Sequence, residues 1–230
     1  MHSGCAPGIS TARRAFRNAN IHRVGKKVKS RKIFAPERKK FAKGAFSCYI
    51  YGREPFFKRG GMKMAFTIRR FEDRDAARVA EIMYESFRTV FGKMWEENET
   101  KGDGSYWKEH AHVETPTFIA TSFVAEQEDG KVIGFLHVDA NLKRGLGILH
   151  SIGVDPTIFA RGVGTALVTE AEKFWRLHRM RKIYTCTSHV NRRALAFYKH
   201  MGFHEEGLLK SHFFDGIDEI QLAKFYSYDD

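Results

Sequence analysis

The sequence predicts a mixed α/β domain from about residue 64 onward, and three observations carry this prediction. Apolar residues recur at three- and four-residue steps over 76–90 and 163–178, which is the period of a helix buried on one face. Several shorter segments have the composition of strands, and two of them flank the turn sequence Asp129-Gly130. Because helices and groups of strands alternate, we expect a mixed, mostly antiparallel sheet flanked by helices.

The elements follow one another in a regular order. A strand at 66–71 precedes the first helix, which Asp73 is placed to cap. Residues 92–117 show no period and are expected to be irregular, whereas 155–161 reads as a loop before the second long helix. The remaining predicted strands occupy residues 122–127, 132–142, 147–154, 182–188, 206–213 and 219–225, and a short helix occupies 191–200.

Positive charge is concentrated at the N-terminus. Residues 1–61 hold 16 of the 39 lysines and arginines but only two of the 27 acids. The segment has no sustained period and too little apolar surface to offset its ordering entropy, so we predict a basic, disordered extension over 1–63 and a folded domain over 64–230. Three explanations of the extension stay open: a transit peptide, a nucleic-acid-binding arm, or a translated region ahead of a true start at Met62. We favour the last.

The rest of the composition excludes several classes of protein. The three cysteines, Cys5, Cys48 and Cys186, have neither metal-ligand spacing nor the pattern of a disulfide framework. No apolar run approaches the roughly 20 residues of a membrane span, and the N-terminus lacks the apolar core of a secretory signal. We therefore expect a cytoplasmic protein with no metal site and no membrane partner.

One loop has the features of an anion site. A strand ends at Val154, Pro156 stops its ladder, and Gly162 and Gly164 open a helix. Glycine lets a ligand approach the backbone closely, and the first N–H groups of a helix are unpaired at the positive end of its dipole. The loop therefore suits a phosphate or pyrophosphate, although the patterns of the P-loop and of the dinucleotide fold do not fit. Alone, the stretch would equally suit a tight turn.

A second stretch, further along the chain, completes a pattern. Asn191, Ala194 and Tyr198 lie at helical spacing, and Gly202-Phe203 closes that helix. With the loop, which reads Phe159-Ala-Arg-Gly-Val-Gly, these residues resemble the GNAT superfamily of N-acetyltransferases over about residues 64–228. Phe159 departs from the family pattern, which begins with Gln or Arg, and Arg161 is the candidate to supply the missing charge.

The resemblance implies a GNAT fold, acetyl-CoA as co-substrate, and direct attack of an amine on the thioester. Pantetheine would lie between the strand ending at Val154 and the strand beginning near Lys182, and a backbone N–H near Ile152 would polarise the thioester carbonyl. Tyr198 would protonate the departing thiolate. The implied cofactor-binding residues are Ile152, Gly153, Val154, Phe159, Ala160, Arg161, Gly162, Val163, Gly164, Thr165, Asn191 and Tyr198.

The general base is less well defined. Many relatives carry a Glu where this chain has Ile148, which cannot accept a proton. His150 lies two residues further, on the same strand face, and has a suitable ordinary pKa, so we predict it as the base. His137, Asp139, His189 and a chain of water molecules stay open as alternatives.

The acceptor is expected to be a small-molecule or peptide amine. Trp95, Tyr106 and Trp107 lie where the acceptor wall forms in the family, and an acidic run from Glu96 to Glu99 would attract a cation. Two other functions remain alternatives: an acyl-CoA sensor without turnover, and an acetyltransferase of tRNA or ribosomes. Nucleic acid is not the favoured partner, and a homodimer stays open.

Overall fold

The computed structural model describes residues 65–159 and 161–228. The predicted extension over 1–63 and the loop residue Ala160 lie outside the described residues, so the domain boundary near residue 64 stays a prediction. Among the described helices, none is both long enough and apolar enough to cross a membrane. The same residues contain no group of three or more His, Cys, Asp or Glu side chains placed to hold a metal ion.

A sheet of eight strands forms the centre of the molecule, in the spatial order β1, β3, β4, β5, β6, β8, β7, with β2 also paired to β3. Every pair is antiparallel except β5 with β6. The mixed, mostly antiparallel sheet predicted from the sequence is therefore confirmed. The strands are β1 (Phe66–Arg70), β2 (Val113–Thr115), β3 (Phe118–Gln127), β4 (Val132–Asn141), β5 (Leu146–Val154), β6 (Lys182–Ser188), β7 (His204–Phe214) and β8 (Ile217–Phe225).

Helices cover both faces of the sheet. α1 (Ala76–Phe91) packs on one face together with α2 (Lys93–Asn98) and α3 (Ser105–His110), and we call this face the α1 side. α4 (Val163–Leu177) and α5 (Arg192–His200) pack on the opposite face, the α4 side. The larger apolar cluster lies on the α4 side. Each long helix buries one apolar face, as its one-sided apolar pattern predicts.

The parallel pair β5–β6 separates soon after it begins. Leu146–Ile148 pair with Lys182–Tyr184, and the two strands then continue without pairing to each other in that register. At the same level β5 carries a β-bulge, because His137 of β4 pairs with Ser151 and Val138 pairs with Leu149, which leaves His150 as the extra residue. A bulge bends its strand and increases its twist, so it turns β5 away from β6.

Two local predictions are wrong. Asp73 does not cap α1. It begins a short 3-10 turn, Asp73–Asp75, and Asp75 instead accepts a hydrogen bond from the backbone of Glu72 at 2.8 Å. The stretch over 92–117 is not irregular, because it contains α2, α3 and β2. These helices have six residues each, too few to display a helical period.

Candidate active site

The gap between β5 and β6 opens where the two motifs meet. Thr185 of β6 crosses it once, donating a hydrogen bond from Oγ1 to the carbonyl of Leu149 at 2.9 Å. Beyond this bridge, β5 continues to Val154 and the glycine loop, and β6 continues to Ser188 and α5. An extended ligand arm placed here would find strand backbone on one side and helix N-termini at one end.

The glycine loop positions the start of α4. Asp155 accepts hydrogen bonds from the backbone N–H and the hydroxyl of Thr157 at 2.9 and 2.7 Å, which forms a short 3-10 turn after β5. Gly162 then adopts φ of 83°, a left-handed conformation that an L side chain would strain. Val163 is buried and anchors the helix, while Thr165 is exposed in its first turn. Unpaired N–H groups at this terminus are suited to a diphosphate.

Phe159 stands where the family pattern has Gln or Arg, and in the structure its ring makes a contact that the sequence did not indicate. The guanidinium of Arg193, in the first turn of α5, lies 4.3 Å from the centroid of the Phe159 ring, a cation–π contact. Arg161, which we expected to supply the charge, is exposed. The ring thus holds a cation from another element beside the loop, and its role toward a phosphate stays a prediction, as does that of Arg161.

Both ends of α5 are fixed by hydrogen bonds, which orients Tyr198. Asn191 caps the helix, its Oδ1 accepting from the backbone N–H of Ala194 at 3.1 Å. The helix ends at Gly202, with φ of 83°, where the N–H of Phe203 bonds to the carbonyl of Tyr198 at 2.9 Å. Asn191 therefore caps the helix through Oδ1, and its implied role in binding the cofactor, for which the amide nitrogen remains, stays a prediction.

Tyr198 lies on the α4 side, at the bridge across the gap. Its side chain is 4 % exposed, packs edge-on against Phe203, and hydrogen-bonds with Thr185. Burial holds the pKa of the Tyr198 phenol well above its ordinary value, and the Thr185 contact offsets only part of this effect. The phenol is therefore protonated at neutral pH, as a hydrogen-bond donor to a thiolate must be.

His150 and Asp139 form a close pair on the α1 side. The Nε2 atom of His150 lies 2.6 Å from Oδ2 of Asp139, and the other carboxylate oxygen accepts from the backbone N–H of Ile148 at 3.0 Å. Asp139 is buried and His150 is partly exposed. His137, an alternative base, is buried, with Nδ1 2.8 Å from the hydroxyl of Ser122. A carboxylate beside an imidazole fixes the tautomer and the orientation of the ring.

His189 is held differently from the other two histidines. Its Nδ1 atom lies 3.0 Å from the backbone carbonyl oxygen and 3.2 Å from the backbone nitrogen of Asp218, which ties the ring to the start of β8. The tautomer decides whether Nδ1 donates to the carbonyl or accepts from the N–H, so these contacts leave His189 as an alternative base.

The last residues of β5 face different neighbours. Ile152 and Val154 pack against the apolar cluster of the α4 side, whereas a side chain on Gly153 would collide with Met83 of α1 at 2.7 Å. The carbonyl of Val154 accepts a hydrogen bond from Ser86 at 3.0 Å. Gly153 is thus explained by helix packing, and the predicted pairing of Ile152 and Val154 with pantetheine stays a prediction.

Three further titratable side chains lie on the α1 side, and the sequence analysis missed two of them, Tyr184 and Glu219. Tyr184 and Cys186 of β6 share this face, and Glu219 of β8 is paired in register with Ser188. Burial, with a smaller effect of Glu219, raises the pKa of the Cys186 thiol to about 12, so the thiol is neutral and unsuited to nucleophilic attack. Glu219 is 3 % exposed, and no residue spacing indicated it, because only strand register places it here.

The predicted wall residues divide into two groups. Trp107 is core: it is 6 % exposed and packs edge-on against Phe135, and Tyr106 lies beside it. Trp95 instead joins an aromatic cluster, which we call the aromatic wall. The wall consists of Phe87 and Phe91 of α1, Trp95 of α2 and Phe214 of β7. Glu96, from the acidic run, is exposed and lies 3.5 Å from Arg88.

The comparisons with known proteins agree on one family. The sequence model of the Acetyltransferase (GNAT) family matches residues 80–203. An uncharacterized N-acetyltransferase of Methanocaldococcus jannaschii is 36% identical over 93 residues, which are 38% of this chain and 41% of that relative, well under two thirds of its length. A second uncharacterized N-acetyltransferase of the same organism is 26% identical over 158 residues, 68% of this chain and 90% of the relative.

Solved structures show the same fold. PaiA N-acetyltransferase from Thermoplasma acidophilum, in complex with coenzyme A, is 19% identical with a TM-score of 0.54, covering 71% of this chain and 100% of that one. A Bacillus anthracis acetyltransferase in complex with acetyl coenzyme A gives the same identity, TM-score and coverage. At this identity the likeness supports the GNAT fold, and both complexes hold the co-substrate, or its product form, expected for the family.

Proposed function

Because the chain belongs to the acetyltransferase (GNAT) family, which uses acetyl-CoA, we propose that it transfers the acetyl group of acetyl-CoA to an amine on a small molecule or peptide. The observation that carries the proposal is the gap between β5 and β6, which opens beside the N-terminus of α4 and has Tyr198 on one face of the sheet and the His150–Asp139 pair on the other. We also propose residues 64–230 as the catalytic domain.

The α4 side suits the cofactor. The N-terminus of α4, with its left-handed Gly162 and nearby Arg193, offers donors and positive charge to a diphosphate. Backbone groups of β5 beyond Leu149 lack a partner strand in the β5–β6 register, so an extended amide-containing arm can pair with them. The thioester would then lie near the Thr185 bridge, beside Tyr198.

Tyr198 is proposed as the donor to the departing sulfur. A thiolate has an ordinary pKa of about 8.5, below that of the buried phenol, so complete proton transfer from Tyr198 is unfavourable. A hydrogen bond that strengthens as negative charge develops on the sulfur still lowers the barrier. We therefore propose that Tyr198 stabilises the thiolate by hydrogen bonding, with the final proton supplied from solvent.

His150 is proposed as the base on the opposite face. An amine must lose a proton to attack the thioester carbonyl, and most amines are protonated at neutral pH. Asp139 holds Nε2 of His150, so a proton from the amine would be accepted at Nδ1. The carboxylate then stabilises the resulting imidazolium. In this arrangement the acceptor approaches from the α1 side while the cofactor enters from the α4 side.

The proposal is tested by binding and by turnover. Isothermal calorimetry with acetyl-CoA should show saturable binding, and labelled acetyl-CoA should transfer its acetyl group to at least one member of an amine panel. His150→Gln should lower kcat by about 100-fold while leaving acetyl-CoA affinity unchanged. His178→Gln, which changes the residue after α4, is the matched control.

Three results would contradict parts of the proposal. Absence of binding to any acyl-CoA at millimolar concentration would remove the cofactor and the function together. Binding without turnover across the panel would favour the alternative of an acyl-CoA sensor. Equal turnover of His150→Gln and the unmodified protein would remove His150 as the base.

A further inference from the structure

The α1 side of the sheet carries a row of polar side chains that crosses the gap. Asp139 lies on β4, His150 on β5, Tyr184 and Cys186 on β6, and Glu219 on β8. Strand alternation puts them on one face, since Ile148 pairs with Tyr184 and Ser188 pairs with Glu219. The acceptor, entering from this side, would meet His150 at one end of the row and Glu219 at the other.

Glu219 is the member of this row whose carboxylate has no partner. Glu219 is 3 % exposed, and within residues 65–159 and 161–228 its carboxylate makes no side-chain hydrogen bond or ion pair, although its oxygens are not among the fully buried polar atoms that lack a partner. A buried carboxylate without a hydrogen bond or counter-ion costs free energy, and native structures seldom keep one without a function. The two residues that pair with Glu219 are uncharged, because they are Ser188 on β6 and Leu209 on β7.

The aromatic wall borders the same part of the face. Phe214 pairs directly with Ile217, which is two residues before Glu219 and therefore on the same face of β8. Phe214 contacts Phe91 and Trp95, with ring centroids 5.4 and 6.4 Å apart. The indole Nε1 of Trp95 is itself buried without a partner among the described residues. An aromatic surface beside a carboxylate is a common setting for binding organic cations.

We propose that Glu219 binds a cationic group of the acceptor, against the aromatic wall, and so selects amine substrates that carry this group on an apolar chain. The proposal rests on the proposed function, because it assigns Glu219 to the acceptor of that reaction. Glu219 acts as a specificity residue and takes no part in the proton transfer assigned to His150. A bound ammonium supplies the counter-ion that the protein itself does not provide.

The electrostatics of the site agree with this role. Burial raises the pKa of Glu219 to about 7, from an ordinary value of 4.5. A cation brought within a few ångströms would favour the charged carboxylate and lower that pKa again. The Cys186 thiol, whose pKa is raised by burial and to a smaller extent by Glu219, is neutral in this range. A fall in the pKa of Glu219 on addition of an amine is therefore a direct sign of binding.

The test uses two probes of equal length, 1-butylamine and 1-butanol. The full chain is labelled with carbon-13 at glutamate carboxyls, and the Glu219 signal is assigned by its absence in Glu219→Gln. We expect 1-butylamine to lower the pKa of Glu219 by about one unit or more, and 1-butanol to leave it unchanged. Equal pKa values with both probes would overturn the proposal. Calorimetry with acetyl-CoA tests the proposed function separately, because the thioester enters from the α4 side.

Kinetics provide a second and independent readout. With an acceptor that the unmodified protein acetylates, Glu219→Gln should raise the KM for that acceptor about tenfold or more while kcat changes less than about threefold. Glu205→Gln, at an exposed glutamate of β7, is the matched control and should leave KM unchanged. A fall in kcat with unchanged KM would overturn the proposal, because it would make Glu219 a proton-transfer group.

Discussion

The two sides of the β5–β6 gap are built in different ways. On the α4 side, the loop and α5 are two continuous segments whose caps and glycines set the geometry locally. On the α1 side, Asp139, His150 and Glu219 come from three strands and are placed on one face only through sheet register. The local segments on the α4 side can keep one ligand site while the residues on the opposite face change one by one. This division would allow an enzyme to retain its cofactor while its acceptor specificity varies.

The largest effect should come from the α4 side. Tyr198→Phe removes the hydrogen-bond donor near the sulfur and should lower kcat about 100-fold, or ~3 kcal/mol, with acetyl-CoA affinity within about twofold. Tyr184→Phe, a phenol on the α1 side, is the matched comparison and should cost much less. Steady-state kinetics and calorimetry on both variants measure this difference. If both substitutions cost the same, the two sides do not have the separate roles assigned here.

The next effect concerns stability on the α1 side. The pKa of Glu219 is about 7 in the folded state against an ordinary 4.5, so the unfolded chain loses its proton first as pH rises. Stability is therefore undiminished below about pH 4.5 and falls until about pH 7. Glu219→Gln removes this penalty and should raise the free energy of unfolding by about 2 kcal/mol at about pH 8, but not at about pH 4.5.

Denaturant unfolding at both pH values measures that change. Glu205→Gln is again the control. Because the carboxylate of Glu205 is exposed, its replacement should leave the free energy of unfolding nearly unchanged. A variant that is equally or less stable than the parent at the higher pH would show that Glu219 is not a buried, uncompensated charge. It would also weaken the argument for a cation-binding role.

A charge at the start of α4 should separate helix stability from ligand binding. Thr165 is exposed in the first turn, where an aspartate favours the helix by about 0.3–1 kcal/mol. The same charge repels a diphosphate, so Thr165→Asp should weaken acetyl-CoA binding about tenfold, or ~1.4 kcal/mol. Thr165→Asn, which lacks the charge, is the control. Tighter binding by the aspartate variant would place the diphosphate elsewhere.

The smallest effect tests the contact between the two motifs. Arg193→Ala removes the cation stacked on Phe159 and should weaken acetyl-CoA binding about threefold, or ~0.7 kcal/mol. Arg192→Ala, at an exposed neighbour in the same helix, should change it less. Calorimetry resolves a difference of this size. Equal effects would indicate a general attraction by the helix rather than a specific contact.

Sequence reasoning predicted what is local and missed what depends on register. Polar and apolar residues alternate along most strands, and apolar residues recur with a helical period along the long helices. The order of these elements was therefore predicted correctly, with ends shifted by a few residues. β3 begins at Phe118 rather than 122, because the sequence before it is mixed in polarity. The short helices α2 and α3 carry no period of their own, and their positions depend on packing against α1 and β4.

The candidate site shows the same limit. The glycines, Asn191 and Tyr198 stand out in the sequence because each has a fixed distance from a cap or a turn. Glu219 does not stand out, since the β6 residues beside it precede it by more than 30 residues in the sequence. The pair of His150 and Asp139 required knowing that β4 and β5 align with one extra residue. The roles of these residues in catalysis stay predictions.

The extra residue in β5 has a thermodynamic consequence. Beside it the sheet divides into two half-sheets, β1 to β5 and β6 to β8, joined by three residue pairs and the Thr185 bridge. A ligand arm that occupies the opening would restore a continuous ladder. Binding of the cofactor would therefore stabilise the contact between the two half-sheets. We expect the melting temperature to climb with the logarithm of acetyl-CoA concentration, and amide exchange to slow first along the inner edges of the two halves.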